Sequence, residues 1–355
     1  MKTVITLLIG ALVMTSCALN RDAWRQPKFT NTDVDIRNSA GQIWEITKAY
    51  FRDQREAATP KQPIPLRPIP LQELEQAGPR VYRLGHSTVL MQLDDHWLLT
   101  DPVFSDRASP VQWAGPKRFH PSPLAMEDLP RIKAVVISHD HYDHLDKASI
   151  QALDSKVEWF VTPLRVGNHL RDWGISDDKI IELKWWQEVN LDGLSLTATP
   201  TQHFSGRGLL DRDRTLWASW VLAGVDARIY FSGDSGYFSG FKEIGERLGP
   251  FDLTLIEAGA YNDLWSEVHM LPEESLQAHL DLRGKAMLPI HNGTFDLALH
   301  EWYEPLERIH QLARQHQVNL VTPIFGEAVS LKERFSSQSW WPSPQTQAVL
   351  AQATE

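Results

Sequence analysis

Short apolar runs recur along the chain between about residues 80 and 330, and small or polar residues follow most of these runs. Many of the runs are rich in β-branched side chains and too short for helices, which is typical of buried strands. The pattern predicts strands over residues 81–84, 88–93, 96–100, 134–137, 159–162, 194–199, 228–232, 252–256 and 285–290.

Segments that suit helices lie between several of these strands. They predict helices over residues 147–153, 238–248, 272–282 and 301–316. Strands that alternate with helices indicate an α/β domain. In such a domain, side chains that follow the strands collect at the carboxyl edge of a sheet, where we expect the active site.

A further amphipathic helix is predicted near the start of the chain, within residues 21–58. Ile43, Trp44 and Phe51 recur there at roughly helical spacing, with charged residues between them. Its apolar side either packs on the core or forms a lipid-facing surface. Residues 60–70 then carry five prolines and predict an extended connector laid over the surface.

Residues 137–146 contain three histidines and three aspartates, directly after the predicted strand 134–137. Buried imidazoles and carboxylates this close together are costly unless a cation balances them, so we expect a bound metal. Later strands deliver further side chains of the same kind. The candidate metal ligands are His139, His141, Asp143, His144, His203, Asp234 and His291.

Five imidazoles and two carboxylates without a thiolate suit catalytic Zn²⁺, and Mn²⁺ or Fe remain chemically possible. Seven ligands are too many for one tetrahedral ion, so we predict two metal ions per chain that share one carboxylate. Asp234 is the predicted bridge, because the flanking Gly233 and Gly236 let the backbone approach closely. Two such ions can hold a bridging hydroxide and stabilise both oxygens of a displacement.

Composition excludes some classes of function. The chain is 42% hydrophobic and 23% charged, as expected of an ordinary folded protein. Its net charge is −10 and it has no long Lys/Arg run, so we predict no nucleic-acid partner.

The first residues are predicted to be a targeting segment. Lys2 precedes an apolar stretch, residues 4–14, that is too short to span a bilayer, and the only cysteine, Cys17, follows it. This resembles a bacterial lipoprotein signal, in which cleavage leaves Cys17 as a lipidated N-terminus. The alternative is an ordinary secretory signal. Ala18 after the cysteine favours the outer membrane, so we expect a lipid-anchored protein of the cell envelope.

The chain is therefore divided into four predicted parts. Residues 1–16 form the signal peptide, and residues 17–79 form a leader with the amphipathic helix and the proline-rich connector. Residues 80–333 form the catalytic domain, and residues 334–355 form a peripheral tail. A long loop within the catalytic domain, residues 105–130, is expected to be functional.

His139-x-His141-x-Asp143-His144, with a later His, Asp and His, resembles the metallo-β-lactamase superfamily, whose fold is an αββα sandwich. Within it, the chain is most similar to the branch of N-acylphosphatidylethanolamine-hydrolysing phospholipase D. The segments that carry this resemblance are residues 84–89, 99–105, 115–119, 134–145, 202–207, 216–220, 233–237, 258–261 and 289–294.

The resemblance implies how the candidate ligands are divided. One zinc ion takes His139, His141 and His203, and the other takes Asp143, His144 and His291, with Asp234 between them. Asp140 and Asp146 are left as loop or helix-start residues.

The resemblance also implies residues around the substrate. His269 matches a family histidine near the substrate phosphate, and Asp143 or His269 is expected to shuttle a proton to the departing oxygen. Tyr142 is a predicted wall of the phosphate site. Lys117 and Arg118 either attract the phosphate or are solvated surface charges.

Two positions depart from the family pattern. Val268 stands where we expect Gln in the mammalian enzymes, and Phe204, a predicted substrate contact, stands where they have Trp. Both lie by the substrate, which leaves the acyl and headgroup preference open.

The predicted function is a dinuclear zinc hydrolase that cleaves a phosphodiester of an N-acylated phospholipid by attack of a metal-bridging hydroxide. Its expected partners are the phospholipid substrate and the membrane that holds the N-terminal anchor. One alternative is a lactonase or small-ester hydrolase of the ascorbate-6-phosphate lactonase type. Another is a non-catalytic zinc-binding envelope lipoprotein. A β-lactamase matches less closely, and export and acidity disfavour an RNA-processing enzyme.

Overall fold

The computed structural model describes residues 27–36, 39–208, 210–332 and 339–342. The predicted signal peptide and the predicted lipidation site, Cys17, lie outside these residues, as does most of the predicted tail. Within the described ranges, no helix is both long enough and apolar enough to cross a membrane.

The strands of the described chain form two β-sheets. In chain order the strands are β1 (Arg80–Gly85), β2 (Thr88–Leu93), β3 (His96–Thr100), β4 (Ile132–Val136), β5 (Val157–Pro163), β6 (Ile180–Leu183), β7 (Glu188–Leu191), β8 (Leu194–Thr199), β9 (Ser219–Ala223), β10 (Arg228–Phe231), β11 (Leu253–Glu257), β12 (Met287–Ile290) and β13 (Ala328–Ser330).

The first sheet has the strand order β13-β1-β2-β3-β4-β5-β6, and the second has the order β12-β11-β10-β9-β8-β7. Strands β3 to β6 run parallel to one another, and so do β10, β11 and β12. The remaining neighbours are antiparallel. Candidate ligands follow the carboxyl ends of three of these parallel strands, β4, β10 and β12.

The main core lies between the two sheets. Side chains alternate across a strand, so successive residues of β4 face opposite sides. Ala134 and Val136 pack in the inner core, which Trp220 and Leu222 of β9 line from the second sheet. Val135 packs in the outer core on the far side of the first sheet. Both faces of β4 are therefore buried, which explains its continuous apolar run.

Helices cover the outer faces of both sheets. The helices are α1 (Ala40–Arg52), α2 (Leu71–Leu74), α3 (Lys147–Leu153), α4 (Gly167–Asp172), α5 (Gly240–Leu248), α6 (Pro272–Asp281) and α7 (Glu304–His316). Ile150 of α3 and Leu170 of α4 pack on the first sheet. Phe241 of α5, Leu276 of α6 and Ile309 of α7 pack on the second. The α/β prediction and the αββα sandwich are confirmed.

The proline-rich segment, residues 60–70, lies along the catalytic domain in an extended form. Ile64 and Ile69 are buried, and the backbone N–H of Arg67 donates to the carbonyl of Phe325 at 2.9 Å. The apolar side chains of this segment thus attach the leader to the sandwich.

Helix α1 leaves three large apolar side chains exposed, although its Tyr50 ring stacks on Trp265. Trp44 is 61% exposed and Phe51 is 77% exposed, and Ile43 is also exposed. The alternative in which these side chains pack on the core is therefore wrong for them. An exposed cluster of large apolar residues marks a surface that can meet lipid or another molecule.

Candidate metal centre

A buried carboxylate fixes the loop that follows β4. Asp101, directly after β3, accepts a hydrogen bond from the backbone N–H of Ser138 at 2.7 Å, and its Oδ2 lies 2.7 Å from Nδ1 of His144. Because β3 and β4 are parallel neighbours, their carboxyl ends meet at this point. Asp101 was not among the predicted site residues, although it lies directly after a predicted strand and within residues 99–105, a segment that carries the family resemblance.

Two other aspartates of this loop have structural roles. The Asp140 carboxylate accepts the backbone N–H of Gly206 at 2.8 Å and the hydroxyl of Thr215 at 2.8 Å, which ties two loops together. Asp146 caps α3, because its carboxylate accepts the backbone N–H of Ala148. Both residues lie where the sequence analysis expected loop or helix-start residues.

The first cluster of ligand-type atoms consists of His139, His141, His203 and Asp234, whose nitrogen and oxygen atoms lie within 4.8 Å of one another. Nδ1 of His141 lies 2.8 Å from Nε2 of His139 and 3.2 Å from Nε2 of His203. Oδ2 of Asp234 lies 3.8 Å from Nε2 of both His139 and His203. Three imidazoles and one carboxylate oxygen therefore converge on one point.

The second cluster consists of Asp143, His144 and His291, with His86 beside them. Nε2 of His291 lies 3.2 Å from Oδ2 of Asp143, and Nε2 of His144 lies 3.4 Å from the same oxygen. The predicted division of the ligands into two sets thus matches two clusters of atoms in space. That these atoms bind metal stays a prediction.

Asp234, a member of the first cluster, also contacts the second. Its Oδ1 lies 3.1 Å from Nε2 of His144, and its Oδ2 lies 3.1 Å from Nε2 of His291. Gly233 before it has φ +56°, and a Cβ there would come within 2.5 Å of Cβ of Ser138. Glycine is therefore required for the turn that carries Asp234 to this position.

The donor set fits a metal cation. Nε2 of His144 and Oδ1 of Asp234 are buried, and neither makes a well-oriented hydrogen bond to any residue that the structure describes. Buried polar atoms are costly to leave without partners. Nitrogen and oxygen donors without sulfur suit a divalent ion such as Zn²⁺.

Electrostatics support the same conclusion. Burial lowers the pKa of His139 and His203 well below 6.5, which keeps these imidazoles in the neutral form that binds metals. Burial alone would raise the pKa of Asp234, but the His144 and His291 imidazoles outweigh it and hold that pKa well below 3.8. A buried carboxylate that stays ionised requires nearby positive charge. Without a metal ion, His144 and His291 supply it, because, despite burial of the rings, the neighbouring aspartate carboxylates raise the pKa of both imidazoles above 6.5; a bound cation would take over that role.

In two of the histidines, hydrogen bonds hold the ring nitrogen that does not face the cluster. Nδ1 of His203 lies 3.0 Å from the carbonyl oxygen of Val268, and Nδ1 of His139 lies 2.9 Å from Oγ of Ser138. Such contacts orient a histidine and select which nitrogen faces the metal. Val268, at a position that departs from the family pattern, thus contributes its backbone carbonyl to the site.

His86 is a neighbour of the second cluster that the sequence analysis missed. Its Nε2 lies 3.1 Å from Oδ2 of Asp143, and its ring lies 4.0 Å from the ring of His291. Its backbone N–H donates to Oγ1 of Thr294 at 2.7 Å. Its signals were the Gly85-His86-Ser87 turn and its place within residues 84–89, a segment that carries the family resemblance, but a single histidine in a turn does not by itself indicate a site.

His269 lies at the centre, paired with a buried carboxylate. Its Nδ1 makes a short hydrogen bond with Oε1 of Glu257, which ends β11 and is fully buried. Its ring lies 5.2 Å from the His203 ring and 5.4 Å from the His291 ring. Burial lowers the pKa of His269 to about 4, so the imidazole is neutral near pH 7. Glu257 was not among the predicted site residues.

The other predicted substrate residues lie at different distances from the clusters. The Phe204 ring contacts the His141 ring at 4.7 Å between centroids. The hydroxyl of Tyr142 donates to the carbonyl of Arg207 at 3.0 Å. Lys117 is exposed, and Arg118 is half-buried, where its guanidinium donates to the backbone carbonyls of Ser105 and Val103. Their contact with substrate stays a prediction.

Comparison with known proteins agrees with this geometry. Residues 96–292 match the family model described as "Beta-lactamase superfamily domain". An uncharacterised protein of Mycobacterium tuberculosis is 42% identical over 95% of both chains. N-acyl-phosphatidylethanolamine-hydrolyzing phospholipase D 1 of Caenorhabditis elegans is 39% identical over 71% of this chain and 75% of that protein.

Two further matches are shorter or more distant. Outer membrane protein RomA of Klebsiella pneumoniae is 49% identical over 29% of this chain and 76% of that protein. The solved structure of isothiocyanate hydrolase from Delia radicum gut bacteria aligns with a TM-score of 0.58 at 22% identity, over 73% of this chain and 100% of that chain. The structural match shows a shared fold.

Three observations agree. Histidines and aspartates cluster at the edge of two sheets, a family model matches residues 96–292, and a relative is 39% identical. The chain belongs to the metallo-β-lactamase superfamily, in the branch of N-acylphosphatidylethanolamine-hydrolysing phospholipase D, and is a metal-dependent hydrolase.

Proposed function

We propose that this protein is a dinuclear zinc phosphodiesterase that hydrolyses an N-acylated phospholipid in the cell envelope. The observation that carries the proposal is the pair of ligand clusters on either side of the Asp234 carboxylate. The identity of 39% to a nematode enzyme named for this substrate supports the choice of lipid.

Seven side chains would hold the two ions. His139, His141 and His203 would bind one, and Asp143, His144 and His291 would bind the other, with Asp234 in contact with both. Bound divalent ions supply positive charge for the anionic phosphodiester and lower the pKa of a coordinated water. The histidines and carboxylates are held in place before the substrate arrives, which is the arrangement that stabilises a charged transition state.

His269 is the proposed proton carrier. Glu257 holds its Nδ1, so Nε2 is the nitrogen available to take a proton from the attacking water and pass it to the departing oxygen. Asp143, the other candidate, has Oδ2 within 3.5 Å of Nε2 of His86, His144 and His291, which leaves it poorly placed to move a proton.

A membrane-held substrate accounts for features outside the metal centre. Helix α1 exposes Ile43, Trp44 and Phe51 to solvent, and amphipathic helices of this kind insert apolar side chains into the surface of a bilayer. A lipid anchor at Cys17 would keep the enzyme at the same surface. The similarity to outer membrane protein RomA supports an envelope location, and we propose the outer membrane.

Substrate specificity is the direct test. Purified protein would be offered vesicles that contain an N-acylated phosphatidylethanolamine and, separately, a phosphorylated lactone. We expect the vesicles to yield phosphatidic acid and the N-acyl amino alcohol, and the lactone to stay intact. Turnover of the lactone alone would contradict the lipid assignment.

Two Asp→Asn variants, which change the charge equally, test whether hydrolysis requires the metal centre. Asp234→Asn removes the carboxylate that both clusters share, and we expect hydrolysis to be lost with little change in circular dichroism. Asp95→Asn, in the exposed turn between β2 and β3, is the control and should retain activity. Full activity of Asp234→Asn would rule out the shared carboxylate as a functional group.

A further inference from the structure

A segment of the leader, residues 27–36, makes direct contact with the metal centre. It precedes the part of the chain that matches the family model, residues 96–292. Nevertheless it crosses the loop that follows β8, where His203 lies. We call residues 27–36 the N-terminal segment.

Asn31 of the N-terminal segment hydrogen-bonds both backbone polar groups of His203, its N–H and its carbonyl. Its Nδ2 donates to the carbonyl oxygen of His203 at 2.9 Å, and its Oδ1 accepts the backbone N–H of His203 at 3.0 Å. The same Oδ1 accepts Nε1–H of the buried Trp217 at 2.9 Å. The side-chain amide therefore pairs with His203 as a neighbouring strand would, and it fixes the orientation of that residue.

The imidazole of His203 is fixed separately, by the contact of Nδ1 with the carbonyl of Val268 at 3.0 Å. The backbone is fixed by Asn31 and the ring by Val268. Together they direct Nε2 toward Nδ1 of His141, 3.2 Å away. Without Asn31, His203 would keep the ring contact but lose both hydrogen bonds of its own backbone.

The N-terminal segment is itself anchored on both sides of Asn31. The backbone N–H of Phe29 donates to the carbonyl of Asp213 at 2.9 Å, and the guanidinium of Arg165 lies 4.5 Å from the Phe29 ring. On the other side, the Asp33 carboxylate accepts the backbone N–H of Ser239 at 3.0 Å. Asn31 is thus held in position by contacts that do not involve any candidate ligand.

We propose that Asn31 is a positioning residue for the metal ligand His203, and that the N-terminal segment is an integral part of the metal centre. The inference rests on the proposed binding of a metal by His203. It also changes the role of the leader, because the chain that leads to the predicted membrane anchor then helps to build the site.

The test measures zinc affinity, so it needs no substrate. Full-length protein would be titrated with zinc in competition with a chromophoric chelator. We expect Asn31→Ala to weaken one of two zinc sites by about 10- to 100-fold and to leave the other unchanged, because residues that orient a ligand typically change metal affinity by this amount. The d–d absorption of the Co²⁺-loaded protein should change in parallel, since it reports the geometry of the ligands.

Two further variants sharpen the result. Asn31→Asp retains the acceptor for His203 N–H and Trp217 and loses the donor to the His203 carbonyl, so we expect an intermediate affinity. If Asn31→Ala does not fold, the zinc affinity of Asn31→Asp tests the positioning role instead. Asn190→Ala, at an exposed residue of β7 that belongs to neither cluster, is the matched control and should bind zinc as the wild type does.

His203→Ala separates failure of the inference from failure of the proposed centre. It should lose the same zinc site that Asn31→Ala weakens. If Asn31→Ala binds zinc like the wild type, or weakens both sites equally, the positioning role is wrong and the centre stands. If His203→Ala retains full zinc affinity, both the proposed centre and the role of Asn31 are wrong.

Discussion

At the scale of single residues, a buried side chain that does not bind metal orients a histidine beside the metal centre. Glu257 is fully buried, its Oε2 accepts the backbone N–H of Ser235 at 2.7 Å, and its Oε1 binds Nδ1 of His269. Burial raises the pKa of the Glu257 carboxyl well above 4.5, and its hydrogen bond to Nδ1 holds the His269 ring in one orientation. His269 without Glu257 would be free to rotate or to present the wrong nitrogen.

Replacing this carboxylate should therefore impair catalysis more than binding. We expect Glu257→Gln to lower kcat by about 10- to 100-fold with a smaller change in KM, and to shift the pH dependence of kcat. Steady-state kinetics over a range of pH would measure both. Glu267→Gln, at an exposed side chain nearby, is the matched control. Equal kcat values for the two variants would show that Glu257 does not act through His269.

All seven candidate ligands could be found from the sequence because each follows a strong strand pattern and is a residue type that binds metals. His86, Asp101 and Glu257 were missed as site residues for a physical reason. Each lies at the end of a strand, as a lone polar residue that ordinary turns and caps also use. Only the pairing of β1, β3 and β11 with their neighbours brings these three side chains beside the ligands.

Asn31 could not have been found in this way. Nothing near it in the sequence resembles a site, and its partner His203 is 172 residues away along the chain. A contact between residues so far apart in sequence depends on how the leader packs on the folded domain, and a local sequence pattern does not predict it.

At the scale of elements, helix α6 contains a buried histidine whose protonation opposes folding. His279 is 2% exposed, its Nδ1 lies 2.7 Å from Oγ1 of Thr254 on β11, and burial lowers its pKa from 6.5 to about 4. The unfolded chain binds this proton at a higher pH than the folded protein does. The stability that depends on neutral His279 is therefore complete above pH 6.5 and is lost as the pH falls toward 4.

Substituting a residue without a charge should remove this pH dependence. Between pH 7 and pH 4, we expect the free energy of unfolding of the wild type to fall by up to about 3 kcal/mol more than that of His279→Gln. Urea denaturation at a series of pH values measures the difference. His316→Gln, at the exposed end of α7, should keep the wild-type pH dependence. Parallel curves for the wild type and His279→Gln would contradict the assignment.

Helix α1 is the element that we expect to meet the membrane. The double substitution Trp44→Ala and Phe51→Ala should lower kcat/KM on phospholipid vesicles by about tenfold or more, because burial of each aromatic side chain contributes roughly 1.5–3 kcal/mol. Activity on a dispersed short-chain substrate should not change. Val225→Ala, at an exposed apolar residue between β9 and β10, serves as the control. Equal losses on vesicles and on the dispersed substrate would place the effect in the active site instead.

Elements were predicted well where both faces are buried or the amphipathic pattern is long. The strands 88–93, 96–100 and 194–199 and the helix 147–153 coincide with β2, β3, β8 and α3. The edge strands β6, β7 and β13 were missed, since they are short and partly exposed and their local pattern is weak. Strand β9 was recognised only as a motif, not as a strand.

At the scale of the whole molecule, the function depends on how the two sheets stack. The sheet that contains β4 provides His139, His141, Asp143 and His144, and the sheet that contains β8, β10 and β12 provides the other three candidate ligands. Neither sheet holds a complete cluster alone. The centre therefore forms only when the sandwich forms, and metal binding should stabilise the fold as a whole.

The metal centre can be observed directly in a crystal of the full-length protein, with anomalous diffraction recorded on both sides of the zinc absorption edge. We expect two anomalous peaks on either side of the Asp234 carboxylate. One should lie among His139, His141 and His203, and the other among Asp143, His144 and His291. A single peak, or none, in protein purified with zinc present would contradict the dinuclear centre.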